Sequence, residues 1–114
     1  LKQVNHDLLF QLFYNLINNA IKFNKENGTI EIFDELLSFN QYQITVKDTG
    51  RGIAKAQIPF IFNRFRKSNQ AENPGYGLGL AIVKSIAAYH QIDIRVNSEV
   101  DKGTSFRVVF NLFN

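Results

Sequence analysis

Residues 7–23 read DLLFQLFYNLINNAIKF, and the spacing of apolar side chains along this stretch predicts an amphipathic helix. At about 100° per residue, a set of these side chains falls within about 80° of arc. The set is Leu9, Phe13, Leu16, Ala20 and Phe23. We expect this face to pack into the core, and residues 24–28 (NKENG) to end the helix and turn the chain.

A second face of the same helix is polar. Asn15, Asn19 and Lys22 lie on one stripe, about 110° around from the apolar face. Asparagine is unfavourable inside a helix because its side chain competes for backbone hydrogen bonds. Amide oxygens suit Mg²⁺, and a nearby lysine suits phosphate. The stripe is therefore a candidate metal and phosphate site, with an ordinary polar face as the alternative.

Outside this helix, alternation of apolar and polar residues predicts two β-hairpins. Alternation at 30–32 and 44–46 predicts the first, and alternation at 92–96 and 106–112 predicts the second. Residues 101–103 (DKG) supply the turn of the second hairpin.

An apolar stretch from Leu78 to Tyr89 predicts a second, buried helix between the two hairpins. The order is then helix, two strands, loop, helix, two strands. This order indicates an α/β sandwich of the α+β class, in which helices cover one face of a mixed, largely antiparallel sheet.

The segment from about Ile53 to Tyr76 is a long loop with a short helical stretch up to Pro59. Long loops inside compact domains are usually functional. This loop carries a basic cluster, which is either a phosphate-handling patch or a solvated loop face. The cluster consists of Arg64, Arg66 and Lys67.

Residues 48–52 (DTGRG) follow the second predicted strand. Glycines there let a ligand approach the backbone closely. The carboxylate of Asp48 can accept a hydrogen bond from an exocyclic amine such as that of adenine. A plain Asx turn is the alternative interpretation.

Residues 75–80 (GYGLGL) open directly into the second helix, so that backbone N–H groups and the helix dipole can meet a phosphate chain. The glycine spacing differs from the dinucleotide fingerprint, and the sequence contains no Gly-x-x-x-x-Gly-Lys-Ser/Thr run. A nucleotide site here is therefore neither a Rossmann site nor a P-loop.

Composition limits the class of protein. The 114 residues are enough for a single domain, 1–114, with a small core. The absence of Cys excludes disulfides and thiolate-ligated metals, and the absence of Met leads us to expect a fragment of a longer protein. There is no signal peptide pattern and no apolar run long enough for a membrane span, so we expect a soluble domain. The formal charge of +3 is mild and its basic residues are not interleaved with aromatics, which argues against a nucleic-acid partner.

Five segments, in this order, resemble the motifs of histidine-kinase catalytic domains, in the superfamily that also holds gyrase, the heat-shock ATPase chaperones and the mismatch-repair ATPases. Residues 15–23 (NLINNAIKF) resemble the asparagine box, and residues 48–53 (DTGRGI) resemble the first glycine box. Residues 61–65 (IFNRF) resemble the phenylalanine box, 75–83 the second glycine box, and 103–106 (GTSF) the closing glycine-threonine motif. The resemblance implies a Bergerat-type ATP-binding fold with a mobile ATP lid.

The resemblance also implies residue roles, with ATP and Mg²⁺ as ligands. Asn19, with Asn15, holds Mg²⁺ bridging the phosphates, and Lys22 contacts phosphate. Phe23 packs near the adenine, and Asp48 accepts a hydrogen bond from the adenine amine. The lid spans roughly residues 59–76, and its Arg64 reaches the phosphates. The other implied ATP-binding residues are Gly50, Gly52, Ile53, Gly75, Gly77, Leu78, Gly79, Leu80 and a supporting Thr104. The implied catalytic residues are Asn15, Lys22 and Arg64.

For the whole protein, the resemblance implies two-component signalling. The γ-phosphate would pass to a histidine on an upstream dimerisation and phosphoacceptor domain, and a response regulator would be the next partner. The full-length protein would be homodimeric and attached to the cell membrane, with this domain in the cytoplasm. The fragment alone would be monomeric and inactive without its acceptor domain.

Three related interpretations compete with this one. A gyrase-type or chaperone-type ATPase would carry a Glu where this chain has Asn15, because attack by water needs a base. A protein-serine kinase of the same superfamily would differ from a histidine kinase in the upstream region, which this sequence does not include. A nucleotide-binding module would keep the same site and differ only in lacking transfer activity. His6 precedes an acidic residue, as phosphoacceptors do, but the residues after it lack the acceptor motif. His90 is interpreted as a helix-end residue favoured by the helix dipole.

Overall fold

The computed structural model of the chain describes residues 5–63 and 79–112. Arg64, Gly75, Gly77 and Leu78, together with most of the predicted lid, lie outside the described residues. The roles predicted for them therefore stay predictions.

Helices and hairpins follow the predicted order. The elements are helix α1 (His6–Lys22), strands β1 (Ile30–Leu36) and β2 (Gln41–Asp48), a 3₁₀ helix (Lys55–Phe60), helix α2 (Gly79–His90), and strands β3 (Asp93–Glu99) and β4 (Gly103–Asn111). The side chain of Asn5 caps α1 by accepting a hydrogen bond from the backbone N–H of Leu8 at 3.0 Å. Both predicted hairpins are confirmed by their antiparallel pairing.

The four strands form one sheet in the order β1-β2-β4-β3. Every strand pair in the described residues is antiparallel, so the α/β sandwich is confirmed but the parallel pairing implied by a mixed sheet is not found there. The physical reason lies in the second hairpin. Strands β2 and β3 run in the same direction across the helical connection, but β4 folds back between them and takes both sets of hydrogen bonds.

The two helices pack against each other and against the sheet, and the core lies between these layers. In α1, Leu16 and Ala20 are buried as predicted, whereas Leu9, Phe13 and Phe23 are only partly buried. The helix instead buries Leu12 completely. The contact face is rotated towards Leu12 because α1 packs on α2 as well as on β2, and the sequence pattern does not reveal the second contact.

His90 ends α2, as predicted, and its imidazole makes two further contacts. Its Nε2 accepts a hydrogen bond from the backbone N–H of Asn5 at 3.1 Å, and its Nδ1 lies 3.0 Å from the carbonyl oxygen of Ile86. This pair of contacts needs a neutral imidazole that donates from Nδ1 and accepts at Nε2. His90 is therefore a buried link between the end of α2 and the start of α1.

Of the helices in the described part of the chain, none is long and apolar enough to cross a bilayer.

Candidate functional site

Asp48 is the last residue of β2, and it faces the interior opposite Thr104 of β4. Its Oδ1 accepts hydrogen bonds from the backbone N–H of Gly50 at 2.8 Å and from that of Thr104 at 3.3 Å. The Asx turn considered from the sequence is therefore present. Both bonds end on Oδ1, and within residues 5–63 and 79–112 no hydrogen bond reaches Oδ2. The carboxylate is thus held by one oxygen, which leaves the other for a ligand.

The environment of Asp48 makes its charged form less favourable than it is in water. Burial raises the pKa of the carboxyl above its ordinary value, although the backbone hydrogen bonds from Gly50 and Thr104 act to lower it. A desolvated acceptor with a fixed orientation interacts more strongly with a partner than one in water. The site therefore suits recognition of a neutral donor, such as an amine on a heterocyclic base.

Two glycines allow this arrangement by close backbone approach. A Cβ on Gly50 would lie 2.3 Å from the carbonyl oxygen of Phe23, and one on Gly103 would lie 2.0 Å from the carbonyl oxygen of Asp48. Gly103 also has a φ of 130°, which an L side chain rarely adopts. A larger residue at either position would push apart the end of α1, the loop after β2 and the start of β4.

The loop after β2 is also fixed from β3. The backbone N–H of Ile53 donates to the hydroxyl of Ser98 at 2.7 Å, and that hydroxyl shares a hydrogen bond of 2.7 Å with the hydroxyl of Thr104. Gly52 lies against the carbonyl of Glu99. Thr104 thus supports Asp48 and this loop, and the supporting role in ATP binding that the family resemblance implies for it stays a prediction. Ser98 was missed, because nothing in the sequence places it next to Ile53.

The polar stripe of α1 meets the start of α2. Asn15 donates from Nδ2 to the carbonyl oxygen of Gln11 at 2.9 Å, which leaves its Oδ1 pointing away from its own helix backbone. A Cβ on Gly79 would lie 3.7 Å from this Oδ1. Leu80, the next residue, is buried in the core and anchors the first turn of α2. The asparagine stripe and the segment that begins α2 are therefore adjacent in space.

The donor set fits Mg²⁺ bound together with phosphate. Asn19 is partly buried, and in the part of the chain that the structure describes its amide has no hydrogen-bond partner. The same residues contain no group of three His, Cys, Asp or Glu side chains that could hold a metal by themselves. Neutral amide oxygens leave Mg²⁺ dependent on water and phosphate oxygens, as it usually is at nucleotide sites.

Phe23, at the end of α1, lies between two cations. The guanidinium carbon of Arg51 is 4.3 Å from the centre of the Phe23 ring, and Nζ of Lys22 is 5.8 Å from it. These residues border a cavity of about 280 Å³ together with Asn24, Lys25, Gly50 and Asp101. Arg51 has no role predicted from the sequence, although a cation inside a glycine-rich loop is a signal of a binding residue.

Asp48 lines a different cavity, of about 340 Å³, between the ends of β2, β3 and β4. The cleft expected between α1 and the predicted lid, residues 59–76, stays a prediction, because most of the lid lies outside the described residues.

Comparison with known proteins agrees with the motif order. The sequence profile of the histidine kinase-, DNA gyrase B- and HSP90-like ATPases matches residues 4–114. The heme sensor protein HssS of Staphylococcus saprophyticus is 42% identical over 108 residues, which are 93% of this chain and 23% of that protein. The signal transduction histidine-protein kinase ArlS of Staphylococcus haemolyticus is 39% identical over 111 residues, which are 95% of this chain and 24% of that protein. The chain thus spans about a quarter of the length of these relatives.

Solved structures show the same architecture. The mycobacterial sensor histidine kinase MprB superposes with a TM-score of 0.83 at 26% identity, over 95% of this chain and 74% of that one. Full-length ShkA, solved in complex with AMPPNP, superposes with a TM-score of 0.77 at 29% identity, over 93% of this chain and 22% of that one.

Proposed function

Because the chain belongs to the family of histidine kinase-, DNA gyrase B- and HSP90-like ATPases, as a histidine kinase catalytic domain, we propose that it binds Mg-ATP and donates the γ-phosphate to a histidine. In this transfer the bond between the β,γ-bridging oxygen and the γ-phosphorus breaks, a P–N bond to the imidazole forms, and ADP leaves. The imidazole proton passes to solvent.

One observation carries the proposal: Oδ1 of Asn15 lies beside Gly79 at the start of α2. A helix start offers unpaired backbone N–H groups and a positive dipole end to phosphate oxygens. An amide oxygen at the same place offers a ligand to the Mg²⁺ that those phosphates bind. The juxtaposition therefore serves both halves of a metal–phosphate complex, which an ordinary polar helix face does not need.

Each proposed site residue that the structure describes then has a role in binding. Asn15 and Asn19 hold Mg²⁺, which neutralises charge on the phosphates, and Lys22 contacts a phosphate oxygen. At the other end, Oδ2 of Asp48 accepts from the adenine amine, and Phe23 packs near the base. Arg64 would contact phosphate from the lid, a role proposed from its motif alone.

The proposal for the whole protein goes further than this domain. The acceptor histidine would lie on an upstream dimerisation and phosphoacceptor domain, and a response regulator would receive the phosphate from it. This domain, residues 1–114, would work in the cytoplasm, as part of a homodimer attached to the cell membrane.

Neighbouring asparagines of α1 provide a matched test of the metal site. Asn19→Ala should weaken the affinity for ATP in the presence of Mg²⁺ by about tenfold or more, because a ligand to a charged complex is lost. Affinity in EDTA should change much less. Asn18→Ala, on an exposed face one position away, should leave both affinities unchanged. Titration calorimetry with and without Mg²⁺ measures all four values. If Asn19→Ala lost equal affinity for ATP with and without Mg²⁺, Asn19 would not be a ligand of the metal.

A further inference from the structure

Arg51 occupies a position that the proposed chemistry does not explain. Its backbone is fixed on both sides, since its N–H donates to the carbonyl oxygen of Phe23 at 3.2 Å and its carbonyl accepts from the N–H of Asp101 at 2.8 Å. The start of its side chain is therefore held next to the end of α1. From there the guanidinium reaches the Phe23 ring, with 4.3 Å between the guanidinium carbon and the ring centre.

The separation of guanidinium and ring is that of a cation–π contact. Arginine suits such a contact better than lysine, because its planar, weakly hydrated group stacks on an aromatic face. Phe23 gains a fixed orientation in return. Without this partner, a partly buried ring on the residue that follows the helix would have more rotamers available.

The same loop links this contact to Asp48, the residue proposed to bind the adenine amine. The N–H of Gly50, the residue before Arg51, donates to Oδ1 of Asp48, while the missing Cβ of Gly50 makes room for the Phe23 carbonyl. The ring orientation and the carboxylate orientation are therefore set by consecutive residues of one short loop.

We infer that Arg51 is a positioning residue, which stacks on Phe23 and so holds that ring as a wall for the base of the bound nucleotide. This inference rests on the proposed function, because it assumes that a purine enters beside Phe23. It assigns Arg51 to recognition of the base. The phosphates would instead contact Lys22 of α1 and the backbone N–H groups at the start of α2.

Comparing the affinities for ATP and for tripolyphosphate distinguishes recognition of the base from recognition of the phosphates. Arg51→Met keeps the length of the side chain and removes the planar cation, so it should weaken ATP binding by about two- to fivefold, the range of a cation–π contact at an exposed site. Affinity for inorganic tripolyphosphate, which has no base, should stay the same. Arg51→Lys should lose nearly as much ATP affinity as Arg51→Met, because stacking is lost although charge remains. Arg95→Met, at an exposed ion pair with Asp93, is the control for net charge.

A double-mutant cycle tests the partner. In a Phe23→Leu background, Arg51→Met should cause little further loss of ATP affinity, because both substitutions remove the same contact. Purely additive losses, an equal loss of tripolyphosphate affinity, or full ATP affinity in Arg51→Lys would each overturn the inference. Failure of the unsubstituted chain to bind ATP would instead overturn the proposed function. Circular dichroism and urea unfolding of each variant confirm that the fold is intact before affinities are compared.

Discussion

Burial of the Asp48 carboxyl raises its pKa, because desolvation outweighs the two backbone hydrogen bonds that lower it. The folded chain therefore keeps this proton to a higher pH than the unfolded chain does. Stability falls as pH rises between the pKa of the unfolded chain and that of the folded chain. The loss persists at every pH above both pKa values. A residue that suits ligand recognition thus lowers the stability of the fold.

Asp48→Asn should separate these two effects. The amide oxygen can accept from the same two N–H groups without a buried charge, so the urea midpoint at pH 7 should rise. The gain should shrink as pH falls through the raised pKa of the folded chain towards about pH 4, the ordinary pKa of aspartate. Binding of ATP should fall by about tenfold or more, because a buried NH₂ group would face the adenine amine, donor against donor.

Asp93→Asn is the control, since that carboxylate is exposed and should show no gain of this kind. A lower midpoint for Asp48→Asn at pH 7, combined with unchanged ATP affinity, would contradict both the burial argument and the assignment of the base reader.

At the scale of elements, α1 and α2 are antiparallel neighbours joined near both ends. Asn5 contacts His90 at one end, and Asn15 approaches Gly79 at the other. About 15 Å of helix separates Asn5 from Asn15, and about 16 Å separates Gly79 from His90. The lengths match, so the tie at His90 sets the alignment of α2 along α1. It thereby helps to place the start of α2 against the asparagine stripe.

His90→Leu should show what this tie contributes. It removes the acceptor for the backbone N–H of Asn5, so the free energy of unfolding should fall by about 0.5–1.5 kcal/mol. Amide exchange in the first turn of α1 should accelerate more than exchange in the strands. His90→Gln should recover much of the loss, because its amide can both donate and accept. Equal stability of the Leu and Gln variants would show that the hydrogen bonds of His90 do not matter.

At the scale of the whole molecule, local sequence patterns were enough to predict the helices and strands. The geometry of the candidate site depends on contacts between residues that are distant in sequence. Alternation around 30–32 and 44–46 was enough to predict the first hairpin, because both strands lie close in sequence. Asp48 could be assigned as a strand-end acceptor for the same reason. Nothing local predicts that Arg51 stacks on Phe23, or that His90 bonds to Asn5, since each partner comes from a distant part of the chain. The insertion of β4 between β2 and β3 was missed for that reason too.

The proposed binding of ATP is separable from its consumption. Asn15 is a neutral amide that already donates to the carbonyl of Gln11, so it cannot act as a base to activate water. His6, in the first turn of α1, is about 20 Å along a rigid helix from Asn19. Its imidazole cannot therefore reach phosphates held at Asn19 of the same molecule.

We therefore expect the isolated chain to hold ATP without consuming it. Phosphate release should stay near the background rate at saturating Mg-ATP, and γ-labelled ATP should leave no acid-labile label on the chain. Adding the phosphoacceptor domain of the full-length protein should give labelling of its histidine, slowly, because separate molecules lack the high effective concentration that a tether provides. Phosphoryl transfer needs a nucleophile in line with the γ-phosphate as well as a metal, and in this mixture the two come from different chains. The control is His6→Ala, which should behave as the unsubstituted chain does in every assay. Acid-labile label on the chain alone that disappears in His6→Ala would make His6 an acceptor between molecules. Rapid phosphate release by the chain alone would mean that water is activated without a carboxylate at position 15, and the function would then be ATP hydrolysis.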